Sequence, residues 1–219
     1  MSPPQWRRRG IVPPWHQVVI TRARGGAACW PRPPLDDVQN LGFHGRESKA
    51  MATVVVLYGP KAVGKSWVAQ TLAEHLGVQH IDVDALVLEL LAAGVQPDPA
   101  DGWLAWVEQR VVAALDAHQL VSVEATGAWD SDWRLADDLE AKGVRVLRVW
   151  VSAPKQVALQ RLADRTARRV PVSAREASWI YDQATIQAAG RRLDARIDTD
   201  EQQDRASVVA VLGPLLGHH

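Results

Sequence analysis

The chain of 219 residues holds one cysteine, Cys29, and one asparagine, Asn40. A lone thiol closes no internal disulfide and builds no cysteine-based zinc site. Such sparing use of cysteine fits a reducing compartment, and a cytoplasmic location is expected. No apolar run approaches the ~18 residues that a membrane-spanning helix needs, so no membrane partner is expected. Charge of one sign is lacking as well: 25 Lys and Arg balance 25 Asp and Glu. Net charge therefore leaves no footprint for nucleic acid, and no such partner is expected. The seven histidines are scattered, two of them being the terminal His218 and His219, and no pair has metal-ligand spacing on a helix. No G-x-S-x-G nucleophile pattern occurs either. Arginine outnumbers lysine twenty to five, a bias that carries no functional meaning here.

The neutral total conceals an uneven distribution. Residues 1–50 carry eight Arg and Lys against three Asp and Glu, and seven of the thirteen prolines, in pairs such as Pro3-Pro4, Pro13-Pro14 and Pro33-Pro34. Apart from a short apolar piece at Gln17–Ile20, nothing there repeats with helical or alternating period. The expectation is a disordered, Arg/Pro-rich extension. A targeting peptide is the competing reading, opposed by the prolines and the missing apolar segment. A mis-assigned start, with Met51 the true one, is a third, because Met51 lies two residues before the first strand. The working division is thus 1–50 as extension and 51–219 as domain.

What is present is concentrated at one place. The apolar run Thr53–Tyr58 leads into Gly59-Pro60-Lys61-Ala62-Val63-Gly64-Lys65-Ser66, and an amphipathic stretch follows from Lys65 to Leu76. This is G-x-x-x-x-G-K-[ST] between a strand and a helix, the P-loop pattern in its structural context. Glycines at both ends let the backbone curl until several N–H groups face one phosphate at the positive end of a helix. Lys65 would reach the β- and γ-phosphates, and the Ser66 hydroxyl would take one position on Mg²⁺. Gly59, Pro60, Lys61, Ala62, Val63, Gly64, Lys65, Ser66 and Trp67 are the candidate ATP-binding set.

From there the chain alternates strand and helix. The first helix has Val68, Ala69, Leu72, Ala73 and Leu76 on its apolar face and Gly77 as cap. Val78–Val83 reads as a strand, Asp84–Ala93 as a helix, and Pro97-Asp98-Pro99 as a loop. Trp103, Trp106, Val107, Val111, Ala114 and Leu115 recur at helical spacing after a candidate cap at Asp101. Leu120–Ala125 is a strand, Asp132–Lys142 a helix, Val144–Val151 a strand, and Lys155 to about Arg168 a helix. Ser173-Ala174-Arg175-Glu176 has the form of a capping box opening a helix to Gly190. Leu193–Ile197 is the last strand and Glu201–Leu212 the closing helix. Alternation of this kind predicts an α/β fold with a parallel sheet covered on both faces.

Five strands with a P-loop after the first resemble the small P-loop kinases: the shikimate, gluconate and nucleoside-monophosphate kinase group. The resemblance covers 51–219, and only the P-loop is specific. It implies a P-loop NTPase fold with sheet order 2-3-1-4-5 and helices on both faces, an arginine-rich lid, ATP and Mg²⁺ as cofactors, and a small-molecule acceptor. Period-two geometry puts Asp82 and Asp84 on one side of the second strand. In an open α/β sheet that places two carboxylates at the ligand crevice. By analogy with shikimate kinases, Asp82 would support the metal and Asp84 would orient or deprotonate the acceptor; the bland alternative is that Asp84 caps a helix. Glu124, closing the third strand, would serve the metal or the acceptor, and Thr126 and Gly127 would bring backbone donors to the acceptor. Trp129, Asp130 and Trp133 are candidates for the acceptor pocket, against the reading that tryptophans at helical spacing are core. Arg165, Arg168 and Arg169, with Arg161 before them and Arg175 after, resemble lid arginines that neutralise charge during phosphoryl transfer. Arg196-Ile197-Asp198-Thr199-Asp200 resembles the strand and loop beneath the adenine ring.

A GTPase would need Asn/Thr-Lys-x-Asp, and the chain has no Thr-Lys pair and only Asn40, outside the domain. Mechanical ATPases usually end the corresponding strand in Asp or Asp-Glu, where this chain has a lone Glu124. The expected function is therefore an ATP-dependent kinase that moves the γ-phosphoryl group, with Mg²⁺, to a small hydroxylated or phosphorylated metabolite. The alternative is a non-kinase P-loop ATPase or nucleotide-sensing module. Ala125-Thr126-Gly127-Ala128-Trp129 matches neither the shikimate nor the nucleoside-monophosphate pattern, so the acceptor and the oligomeric state stay open.

Overall fold

A computed structural model describes residues 52–92, 102–164, 172–201 and 204–218, without the side chains of 102 and 103. The expected extension, Met51, Asp101 and the arginines Arg165, Arg168 and Arg169 lie outside the described residues.

The β1 strand, Thr53–Tyr58, is buried along its whole length, as its unbroken apolar run requires of a central parallel strand. It pairs in parallel with β3, Leu120–Ala125, on one side and β4, Arg145–Ser152, on the other. Thr53 stands level with Leu120 and Arg145, and Tyr58 with Ala125 and Trp150, so β1 and β3 end together while β4 runs two residues further. The edge strands β2, Gln79–Ile81, and β5, Ala195–Asp198, complete a five-stranded parallel sheet in the order 2-3-1-4-5.

Period two along the strands divides the core into halves. Val54, Val56 and Tyr58 face α3 (Gly102–Ala117), α4 (Asp130–Ala141) and α6 (Ala174–Ala189). Val55 and Leu57 face α1 (Lys65–Leu76), α5 (Lys155–Ala163) and α7 (Arg205–Leu212). Helices thus cover both faces, as alternation of strand and helix predicts.

Local chemistry sets most boundaries. Gly77 ends α1 in the left-handed conformation (φ 63°). Ser173 caps α6, its hydroxyl accepting from the Glu176 N–H at 3.2 Å. Several expectations shift. Ala73, expected on the buried face of α1, is exposed. The second strand is shorter than Val78–Val83, because Asp82 Oδ1 accepts from the Ala85 N–H at 3.1 Å and starts α2, Val83–Ala92, two residues beyond Ile81. The α4 helix begins at Asp130, two residues earlier than expected. The closing helix begins at Arg205 rather than Glu201, since Asp204 accepts from the Ser207 N–H at 2.7 Å. The last strand starts at Ala195 because Asp194 first engages β4 with its backbone and its carboxylate, both at 2.8 Å from Arg148 backbone atoms.

Candidate active site

The P-loop leaves the carboxyl end of β1 at the centre of the sheet, beside the ends of β3 and β4. Gly59 anchors its start: its N–H donates to the Ala125 carbonyl at 3.2 Å, and a Cβ there would stand 2.2 Å from the Val151 carbonyl oxygen. Only hydrogen fits between the loop and β4. Gly64, at φ 101°, is the N-cap of α1, and a Cβ on it would meet Thr199 Cγ2 at 2.9 Å. Between them Ala62 is left-handed at φ 63°, a conformation an alanine keeps only when its surroundings impose it. No acidic residue lies in the first turn of α1, which leaves the positive end of that helix to an anion.

Thr199 locks the loop from the far edge of the sheet. Its hydroxyl donates to the Val63 carbonyl at 2.6 Å and accepts from Arg161 Nη1 at 2.9 Å, while its N–H donates to the Ser152 carbonyl at 2.8 Å. Arg161 also reaches the Thr199 carbonyl at 3.4 Å. Arg161, expected only as a helix-end charge before the lid, is therefore part of the loop's support.

Lys65 is 7% exposed and donates to the carbonyls of Gly59 at 2.7 Å and Pro60 at 2.8 Å. Those carbonyls hold the ammonium under the loop. Lys61 pairs instead with Asp84, at 3.3 Å. The alternation expected of Asp82 and Asp84 is corrected: they flank the start of a helix, where Asp82 serves as its cap. Asp84, expected in the bland reading as that cap, meets the P-loop through Lys61. Both carboxylates remain near the carboxyl end of the sheet.

Glu124 stands half-buried beside the P-loop. Val121 and Val123 belong to the core half beneath α3 and α4, so period two turns Ser122 and Glu124 toward α1. Burial raises the Glu124 pKa, but hydrogen bonds from His80 and Ser66, together with the Lys65 charge, outweigh it and hold the carboxyl at about 2. Glu124 is thus an anion beside the P-loop lysine and serine. Its buried Oε1 atom lies 3.4 Å from His80 Nε2. His80 is braced in turn by Ser122, 3.0 Å from its Nδ1. Sequence reasoning missed His80, whose role rests on the pairing of His80 with Ser122 across β2 and β3.

The donor set suits Mg²⁺. A serine hydroxyl and an ionised carboxylate side by side offer hard oxygen ligands, and this ion takes the rest of its shell from phosphates and water. No group of three His, Cys, Asp or Glu side chains able to hold a metal by itself occurs among the described residues. Asp82, expected with Ser66 and Glu124, has one carboxylate oxygen committed to α2.

Of the three acceptor-pocket candidates, Trp133 proves to be core. It is 2% exposed, stacks on Tyr58 with centroids 4.0 Å apart, and donates to the Gly127 carbonyl at 3.1 Å. Trp129 is exposed, and Asp130 pairs with Arg191 at 2.9 Å.

A parallel 2-3-1-4-5 sheet with this loop at its centre defines a protein of the small P-loop kinase fold. The AAA domain family matches residues 54–189, and the chain belongs to that family. Among solved structures it is similar to the shikimate kinase from Acinetobacter baumannii in complex with shikimate, with 21% identity over 75% of this chain and 93% of that one and a TM-score of 0.52. It is similar to the APS kinase of Mycobacterium tuberculosis in complex with AMPPNP and APS, with 21% identity, 75% and 99% covered, and a TM-score of 0.53. The gluconokinase from Sinorhizobium meliloti is a third, with 21% identity, 76% and 95% covered, and a TM-score of 0.50. No curated protein matches the sequence.

Proposed function

We propose that the protein is an ATP-dependent kinase that transfers the γ-phosphoryl group to a small hydroxylated or phosphorylated metabolite. The observation that carries this reading is the ionised, half-buried Glu124 set against Lys65 and Ser66 at the mouth of a braced P-loop. The fold it shares with shikimate, gluconate and APS kinases supports it.

Phosphate oxygens would replace the Gly59 and Pro60 carbonyls as partners of Lys65, exchanging neutral acceptors for charged ones. The loop N–H groups and the start of α1 would hold the same phosphates. Ser66 and Glu124 would hold Mg²⁺, which when bound neutralises charge on the β- and γ-phosphates. The acceptor hydroxyl attacks the γ-phosphorus in line, the bond to the bridging β,γ-oxygen breaks, and ADP departs. Asp84 would orient the hydroxyl and take its proton, released from Lys61 as the nucleotide draws that lysine toward phosphate. Asp82 would support the metal shell from the start of α2. Arg165, Arg168 and Arg169 would close over the phosphates and stabilise the equatorial charge.

The test is ADP release by the full chain from Mg-ATP, against sugars, sugar acids, nucleosides, nucleoside monophosphates and shikimate, with Lys65→Ala as control. The expected outcome is acceptor-dependent release, reduced at least 100-fold in the variant while its thermal unfolding is retained. Release indifferent to every acceptor would replace the kinase by a P-loop ATPase.

A further inference from the structure

The loop leaving β3 carries a device that phosphate binding does not use. Asp132, in the first turn of α4, is 1% exposed, and its Oδ2 lies 2.5 Å from the Thr126 hydroxyl. Burial raises the Asp132 pKa, against the Thr126 hydroxyl and the nearby backbone N–H groups of Gly127, Trp129 and Ala128, which favour the carboxylate. A buried carboxylate costs several kcal/mol unless donors surround it. Here the groups that favour the carboxylate all lie in the segment Thr126–Trp129, and the Thr126 hydroxyl that bonds it also accepts from the Ala128 N–H at 3.4 Å, tying that segment to one side chain. At its end stands Trp129, 38% exposed, its ring centroid 6.0 Å from that of Trp179 on α6, which is 41% exposed; the planes are tilted by 52°. These are two of three large apolar side chains exposed among the described residues, and they come from separate elements to meet. Trp129 follows Glu124 by five residues, so the backbone separates them by at most ~18 Å, and the left-handed turn at Gly127 (φ 71°) shortens the path. A metabolite with its hydroxyl at the γ-phosphate would extend along this loop.

Taking the kinase reading as its basis, we infer that Trp129 and Trp179 form a ring-binding wall of the acceptor subsite, which takes an acceptor with a flat ring face, and that Asp132 is the positioning residue that holds Trp129 in that wall. Tryptophan faces attract both the C–H face of a sugar ring and a planar base, whereas an open-chain hydroxy acid offers no matching surface.

The experiment is equilibrium titration of the full chain, its nucleotide site saturated with AMPPNP and Mg²⁺, with three probes: methyl glucoside, adenosine and open-chain gluconate. Binding of one ring probe at least tenfold tighter than gluconate is expected, and whichever ring binds names the source. Trp129→Ala and Trp179→Ala, both at exposed positions, should each weaken that probe tenfold or more while leaving AMPPNP affinity unchanged. Asp132→Asn should do the same and accelerate amide exchange at Gly127–Trp129. A parallel loss of AMPPNP affinity would mark Asp132 as structural only and overturn its positioning role. Equal binding of gluconate, ring binding indifferent to both tryptophan substitutions, or no binding of either ring probe would overturn the wall. With Mg-ATP in place of AMPPNP, ring binding without phosphoryl transfer would remove the kinase reading and leave the wall standing, whereas transfer to a ring acceptor unaffected by the tryptophan variants would do the reverse.

Discussion

Gly59 shows how much one missing methyl group decides. Its Cβ would stand 2.2 Å from the Val151 backbone oxygen, well inside van der Waals contact, which no side-chain rotation relieves. Gly59→Ala should therefore displace the loop from β4 and weaken AMPPNP at least tenfold, as titration would show; unchanged affinity would contradict the close approach. At Glu124 the charge itself is the subject. A carboxyl whose folded pKa lies near 2, against an ordinary 4.5, contributes stability that is complete above about pH 4.5 and is lost as pH falls toward 2. On the order of 3 kcal/mol follows from a shift of that size. Denaturant unfolding should show the stability gap between the protein and Glu124→Gln closing across that window, and a gap independent of pH would exclude an ionised, stabilising Glu124. The P-loop residues were legible because their spacing is itself the chemistry. Glu124 was legible as a carboxylate on a buried strand, which needs compensation. His80 was not, because nothing local in Gln79-His80-Ile81 says which residue of β3 it faces.

At the scale of elements, contacts between distant segments hold the site. Thr199, at the end of β5, ties the P-loop to α5 through Val63 and Arg161. Thr199→Val keeps the volume and removes the hydroxyl, leaving the Val63 carbonyl and Arg161 without that partner. It should cost about 1–2 kcal/mol in thermal unfolding and weaken AMPPNP several-fold; wild-type nucleotide affinity would show that the brace does not shape the loop. On the opposite core half, Arg148 of β4, 7% exposed, binds Asp137 at 2.7 Å and Glu140 at 2.6 Å and so fastens α4 to the sheet. Those hydrogen bonds to Glu140 and Asp137 raise the Arg148 pKa, against burial. Arg148→Ala should destabilise the domain by roughly 2–4 kcal/mol, less than a fully buried ion pair would, because both acids reach solvent. Such a loss in calorimetry with AMPPNP affinity unchanged would separate this clip from the site. The capping box at Ser173 and the glycine end of α1 were readable from sequence, since their partners lie within five residues. The α2 start was misjudged because Asp82 was assigned by strand alternation, whereas one hydrogen bond to Ala85 decides in favour of a helix.

Across the whole molecule, ligand binding and folding are linked. A nucleotide held only by the folded P-loop stabilises it by about 2.7 kcal/mol at one hundred times its Kd. For a domain of this size that raises Tm by roughly 5–10 °C. AMPPNP with Mg²⁺ should produce this shift, Lys65→Ala should abolish most of it, and an equal shift in the variant would show that the nucleotide binds elsewhere.

The sequence by itself determined the strand and helix alternation, the α/β class, the buried central strand and the place and identity of the phosphate loop. Each of these is encoded by periodicity or by residues within one turn of each other. The strand order was implied by resemblance, and pairing in space established it. Only the tertiary structure decided that Trp133 is core while Trp129 meets Trp179, that Thr199 locks the loop, and that His80, Ser66 and Lys65 keep Glu124 ionised. Those outcomes depend on contacts between residues far apart in the chain, whose geometry is set by the packing of the sheet rather than by any local preference.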